Sequence, residues 1–177
     1  MKTSTLMIFL GAFLAGTSAT QAANTITFNG EVLDTTCEPA VTDGDYTVRL
    51  DQVVKSALTS NGMYSAINAP FSLQFINCPA TSTRVGVVLD SSNYDAATGN
   101  MTDVAGYGND SLQIRIMDGT STSTQVVIGD ITPVTYVTID GSHSASIPMT
   151  AYYYVKDVSS LAVGTISTTA TYTIRTQ

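Results

Sequence analysis

The chain has 177 residues and a formal net charge of −7, with 44% of residues apolar and 12% charged. That length suits one domain with a core of its own. The acidic balance, one unit more negative if Lys2 leaves with a leader, argues against nucleic acid and anionic membrane surfaces as partners, both of which want a basic patch.

The N-terminus reads as a secretory leader. Lys2 supplies a positive start, residues 6–15 an apolar stretch, and residues 17–23 a small-residue cleavage region. Thr20 and Ala22 fit cleavage after Ala22, with cleavage after Ala23 as the alternative. The apolar stretch is too short to span a bilayer, and no later run approaches about 20 apolar residues. The sequence therefore predicts an exported chain whose mature part is not inserted in a membrane. Sparse charge and abundant Thr and Ser fit a β-rich extracellular protein.

The mature chain then opens on an alternating stretch. Ile26, Phe28, Gly30 and Val32 point one way, and Thr25, Thr27, Asn29 and Glu31 the other. An isolated strand of this kind leaves its backbone groups and apolar row unsatisfied, so it must join a sheet edge. From the residues alone that edge could belong to its own domain or to another molecule, and terminal strands commonly close their own domain.

Beyond Cys37 and Pro39, Asp43-Gly44-Asp45 marks a turn, and Tyr46, Val48 and Leu50 predict a strand over about 46–54. Residues 57–68 are small and polar and read as a connection with a turn at Asn61-Gly62. Phe71, Leu73 and Phe75 form a strand that Pro79 closes just after Cys78. Residues 84–90 suit a central strand. Residues 91–110 read as a long connection with a short strand near Met101.

Leu112, Ile114 and Ile116 alternate up to Asp118-Gly119, and shorter strands follow over about 124–128 and 134–139. Ile147, Met149, Ala151, Tyr153 and Val155 make one face of a long strand, which sends Tyr152 and Tyr154 to the other face for cross-strand packing or for a contact between stacked subunits. Gly164 precedes the last strand, where Ala170, Tyr172 and Ile174 alternate with threonines. Strands at this spacing, without a helical period, predict an antiparallel β-sandwich with almost no helix.

Two cysteines, Cys37 and Cys78, fall in the mature chain. In an oxidising compartment the simplest outcome is one disulfide closing a loop of about 40 residues, worth roughly 4 kcal/mol. His143, the single histidine, lies in a turn-rich stretch with no Gly-x-Ser-x-Gly elbow anywhere, and reads as a solvated loop residue. Asp43-Gly44-Asp45 lacks the spaced ligands of a calcium loop, and Gly106-Tyr107-Gly108-Asn109 is followed by neither Gly-Lys-Ser/Thr nor a helix. No catalytic, metal or cofactor constellation emerges, and the chain is read as non-enzymatic.

These residues together resemble the structural subunits of chaperone–usher fimbriae, of the type 1 major-pilin kind. The likeness rests on the leader, the alternating extension with Gly30 inside it, Gly30-Glu31-Val32 leading to Cys37, and Pro70-Phe71 leading to Cys78. It continues in residues 112–119, in Ile147-Pro148 before an aromatic strand, and in Gly164 near the C-terminus. One position departs: the family's penultimate aromatic residue is here Thr176, and the nearest aromatic is Tyr172.

The resemblance implies an incomplete immunoglobulin-like sandwich that lacks its last strand, with an acceptor groove beside the C-terminal strand at Gly164, Ala170, Tyr172 and Ile174. A periplasmic chaperone would fill that groove first. At the outer-membrane usher, the donor strand of the next pilin subunit, with Ile26, Phe28, Gly30 and Val32, would replace it. The implied plan is a signal peptide at 1–22, a donor extension at 23–35 and a pilin sandwich at 36–177, displayed on the cell surface as a fimbrium. A minor or adaptor pilin is the neighbouring reading. A self-complete secreted β-sandwich that binds carbohydrate is the rival from another class.

Overall fold

In a computed structural model of the chain the described residues are 36–41, 44–104, 107–119, 124–130 and 135–177, all within the unit Leu33–Gln177. The expected leader and the expected donor residues Ile26, Phe28, Gly30 and Val32 lie outside them. Ten strands are formed among the described residues: β1 Glu38–Pro39, β2 Gly62–Ile76, β3 Arg84–Asp90, β4 Tyr94–Asp95, β5 Asn100–Met101, β6 Leu112–Asp118, β7 Gln125–Val126, β8 Tyr136–Thr138, β9 Ala145–Val155 and β10 Thr171–Thr176. Single 3-10 turns occur at Lys55–Ala57 and Val158–Ser160.

The strands form two sheets, with every pair antiparallel. One runs β1-β2-β9-β6-β5-β4, with β7 also on β6; the other runs β10-β3-β8. The result is the expected all-β, immunoglobulin-like sandwich.

Alternation explains how the layers meet. Leu73 and Phe75 of β2 are buried while Gln74 and Ile76 are exposed, and Ile147 and Met149 of β9 are buried while Ser146 and Pro148 are exposed. Val85, Val87 and Leu89 of β3 and the half-buried Tyr172 and Ile174 of β10 join them in one core. Apolar rows on two sheets, at the sheet's period of two, leave water only by facing each other.

The strand at 84–90 lies at the expected residues and is central in its sheet. The stretch 57–68 differs from expectation, because β2 already begins at Gly62. Its pairing with β9 runs to Tyr64, skips, and resumes at Asn68. This bulge breaks the period of two, so no alternation shows in the sequence there.

Tyr152 does face away from the core, as the period requires, yet it is only 5% exposed. Opposite it in register stands Arg115, whose guanidinium lies 4.0 Å from the centroid of the Tyr154 ring. That outer face also carries a polar network. Gln113 accepts from Thr98 Oγ1 (2.8 Å) and Asn100 Nδ2 (2.9 Å) and donates to Asp95 Oδ2 (2.8 Å). Asn100 Oδ1 in turn accepts from Arg115 Nε and Gln125 Nε2. Gln113 and Asn100 are fully buried, and a satisfied network of this kind fixes the β4–β5 hairpin on the sheet.

Candidate functional site

Two stretches predicted as strands are extended in part without a ladder. Residues 45–53 belong to no strand, and their side chains alternate, with Tyr46, Val48 and Leu50 half-buried and their neighbours exposed. The C-terminal stretch pairs with β3 only from Thr171, so residues 162–170 lie outside any strand as well. No backbone hydrogen bond joins the two stretches.

Between them lies a cleft of about 1160 Å³. One wall is residues 44–50 with Gln52 and Val53; the other is residues 162–170 with Tyr172. The floor is apolar: Phe71 and Leu73 from β2, Leu89 from β3, Met101 from β5, Leu112, Ile114 and Ile116 from β6, and Ala151 and Tyr153 from β9. The 162–170 wall bends at 163–164 and has the backbone groups of Ala162 and Ser167 and the Thr169 carbonyl already hydrogen-bonded, whereas among the described residues nothing engages the backbone of 45–50. An apolar floor beside such an edge fits one further strand, which would bury its apolar row below and pair at its side.

Three tyrosines brace this cleft. Tyr172 Oη donates to the Gly44 carbonyl at 2.8 Å, and Tyr153 Oη donates to the Asp51 carbonyl at 3.2 Å. Tyr46 Oη accepts from Gln74 N at 2.8 Å and donates to Gln74 O at 3.1 Å. The Tyr172 ring meets Tyr46 and Phe75 edge-on, with centroids 6.2 and 6.3 Å away. Burial pushes the phenols of Tyr153 and Tyr172 upward, helped by Asp51 for the first and by Tyr46 and Asp45 for the second, so both remain donors at neutral pH.

A model described as fimbrial protein matches residues 26–177. The chain belongs to the fimbrial protein family. The matched region begins at Ile26, the first of the expected donor residues. This pilin is 28% identical over 181 residues to the F17 fimbrial protein of Escherichia coli, covering 97% of this chain and 98% of that one. It is 27% identical over 170 residues to the major fimbrial subunit SMF-1 of Stenotrophomonas maltophilia, covering 89% and 94%.

In fold it is similar to a chain from a chaperone–usher pilus studied for rod uncoiling, with TM-score 0.61, 18% identity and coverage of 92% and 100%. It is also similar to the P pilus rod subunit PapA, with TM-score 0.60, 16% identity and coverage of 80% and 99%. The protein is a structural fimbrial subunit. Such subunits are built into surface appendages, and no helix among the described residues is long and apolar enough to cross a membrane.

Gly164, Ala170 and Tyr172 of this pilin line the cleft, whereas Ile174 packs against the core from β10, opposite Val87. Cys37 and Cys78 form a disulfide. His143 is exposed, but its Nδ1 lies 3.1 Å from the Cys78 carbonyl and its own carbonyl accepts from Cys78 N at 3.0 Å. It is thus tied beside the disulfide, not simply solvated. Among the described residues no cluster of His, Cys, Asp or Glu could hold a metal ion.

Most of the wall at 44–53 falls in the stretch 46–54 that the sequence predicts as an ordinary strand, after a turn at Asp43-Gly44-Asp45. Its alternation shows in the sequence, but the lack of a ladder partner among the described residues leaves no mark in the residues themselves.

Proposed function

We propose that the cleft accepts the alternating strand of a neighbouring copy, residues 24–32, while the subunit donates its own strand to the next, so that copies polymerise head to tail as the major pilin of an adhesive surface fibre. The observation that carries this reading is the pair of stretches at 45–53 and 162–170 that flank an apolar floor and join no ladder among the described residues. Strand addition to an open sheet edge is a general recognition mode, of which donor-strand complementation of pilins is a known case.

Energetics support the reading. Burying Ile26, Phe28 and Val32 gives roughly 5–9 kcal/mol before backbone pairing is counted, comparable with the whole stability of many domains. The contact is heterologous and does not close on itself, so repetition yields a filament. Before assembly the same edges need a temporary occupant, the role of a periplasmic chaperone, and exchange at an outer-membrane usher would bring in the next donor. On this reading residues 1–22 are a leader, 23–35 the donor extension and 36–177 the acceptor domain.

The test is gel migration of oxidised, sheared surface protein from wild type and from a deletion of residues 24–32, with and without boiling. Detergent-resistant multimers that collapse on boiling and vanish in the deletion are expected. Unchanged multimers in the deletion refute strand donation, and a monomer in both turns attention to a self-complete binding module. A minor or adaptor role is separated from the major one by abundance in the sheared fibres.

A further inference from the structure

The wall at 44–53 is held at its ends and free in between. Its Gly44 carbonyl takes the Tyr172 hydroxyl and its Asp51 carbonyl takes the Tyr153 hydroxyl, and among the described residues no backbone group of residues 45–50 is committed to a hydrogen bond. Between those ties the extended wall spans roughly 23 Å, close to the length of a strand of about seven residues. Tyr46 projects from the wall and occupies both backbone groups of Gln74 on β2, as a strand residue would.

A wall without a ladder ought to collapse on the apolar floor or wander, since ordering each residue costs about 1–2 kcal/mol of backbone entropy. The geometry points to Tyr46, Tyr153 and Tyr172 as positioning residues that hold this unladdered wall open, with its backbone presented, for an incoming strand. The inference rests on the proposed strand donation and names the groups of this chain that prepare the cleft for it.

The three phenols work where backbone hydrogen bonds are missing, so they matter before the cleft is filled. Once a donor strand pairs with the wall, its ladder takes over the positioning, and the hydroxyls add little. Pre-organisation of this kind lowers the ordering cost of binding without adding contacts to the strand. A merely structural hydroxyl would act alike on empty and filled states.

The experiment uses the full chain produced in cells that assemble it. Tyr153→Phe/Tyr172→Phe is compared with wild type for the amount of fibre per folded, disulfide-closed subunit, and for the temperature at which sheared multimers fall to monomers in detergent. Tyr153→Phe alone is run beside it, so that poor folding of the pair does not decide the matter. The expected result is a fall in assembly of about fivefold, with an unchanged dissociation temperature.

Assembly equal to wild type overturns the inference, as does a dissociation temperature that falls in step with assembly. The deletion of residues 24–32 separates the two levels. Fibres that persist in the deletion sink strand donation itself, whereas a deletion without fibres beside tyrosine variants with normal fibres sinks only the role of the hydroxyls.

Discussion

Lys156 Nζ lies 2.6 Å from Asp95 Oδ2, tying the chain just past β9 to the β4–β5 hairpin on the outer face of the larger sheet. Asp95 also accepts from Gln113 Nε2 and from the Ala97 N–H. The Lys156 contact, with the Gln113 and Ala97 hydrogen bonds behind it, outweighs desolvation and lowers the Asp95 carboxyl to about 2. Its folded value thus lies below its unfolded value, so the stabilisation is fully present above about pH 4. It is lost as pH falls through about 2. Asp95→Asn should melt below wild type at pH 7, and the gap should close between pH 4 and pH 2. Thermal melts across that range read it, and a constant gap would show that the carboxylate charge is not responsible.

Thr176 has a buried hydroxyl with no hydrogen-bond partner, on β10 opposite Val85. A buried hydroxyl left unpaired costs free energy that a methyl of the same shape does not. Thr176→Val should therefore stabilise the subunit by about 1 kcal/mol and raise its melting temperature by roughly 4 °C. Calorimetry of the two proteins checks this. A lower melting temperature would mean that the hydroxyl finds a partner in solution.

Cys37 and Cys78 stand 41 residues apart in sequence, and their disulfide joins the chain before β1 to the end of β2. The bond closes a loop that includes the cleft wall at 44–53. Replacing both cysteines with serine should cost about 4 kcal/mol through a freer unfolded chain, a large part of the 5–15 kcal/mol typical of a domain. The expected outcome is a steep loss of protease-resistant subunit in the periplasm, read by pulse proteolysis. Wild-type resistance would place the wall's order in its tyrosine contacts instead.

The sandwich was legible wherever one strand buries one face. Leu73 and Phe75 mark the second half of β2 because alternation survives there, and β3 shows as the dense Val and Leu run of a central strand. The first half of β2 was hidden by the bulge after Tyr64. The buried position of Tyr152 was hidden because its face is covered by polar partners such as Arg115, which no apolar pattern announces. Of the cleft, Gly164, Ala170 and Tyr172 were pointed to by the family resemblance and not by any pattern in the residues.

The brace between Tyr172 and Gly44 spans 128 residues and was not legible. Gly44 itself read as a turn residue, and its φ of +72° bears that out. A side chain there would be strained, and its Cβ would come within 3.1 Å of Tyr172 Oη. The sequence shows the glycine, but only the fold shows what the glycine lets approach.

Gly30 is the one small residue in the row Ile26, Phe28, Gly30 and Val32. If that row enters the cleft, three positions fill it with large side chains, and the fourth lets the donor backbone come close to the floor. A branched side chain at that point would meet packed atoms, and overpacking costs typically about 1–3 kcal/mol or more. Strand entry would then lose a large part of the roughly 5–9 kcal/mol supplied by the other three residues. Gly30→Ile should leave the acceptor domain folded, since residue 30 precedes it, yet reduce sheared fibres by at least about tenfold. The measurement is the multimer ladder of the variant beside its periplasmic monomer. A full ladder from Gly30→Ile would mean that this position does not face the floor, and would sink the placing of the row Ile26, Phe28, Gly30 and Val32 in the cleft.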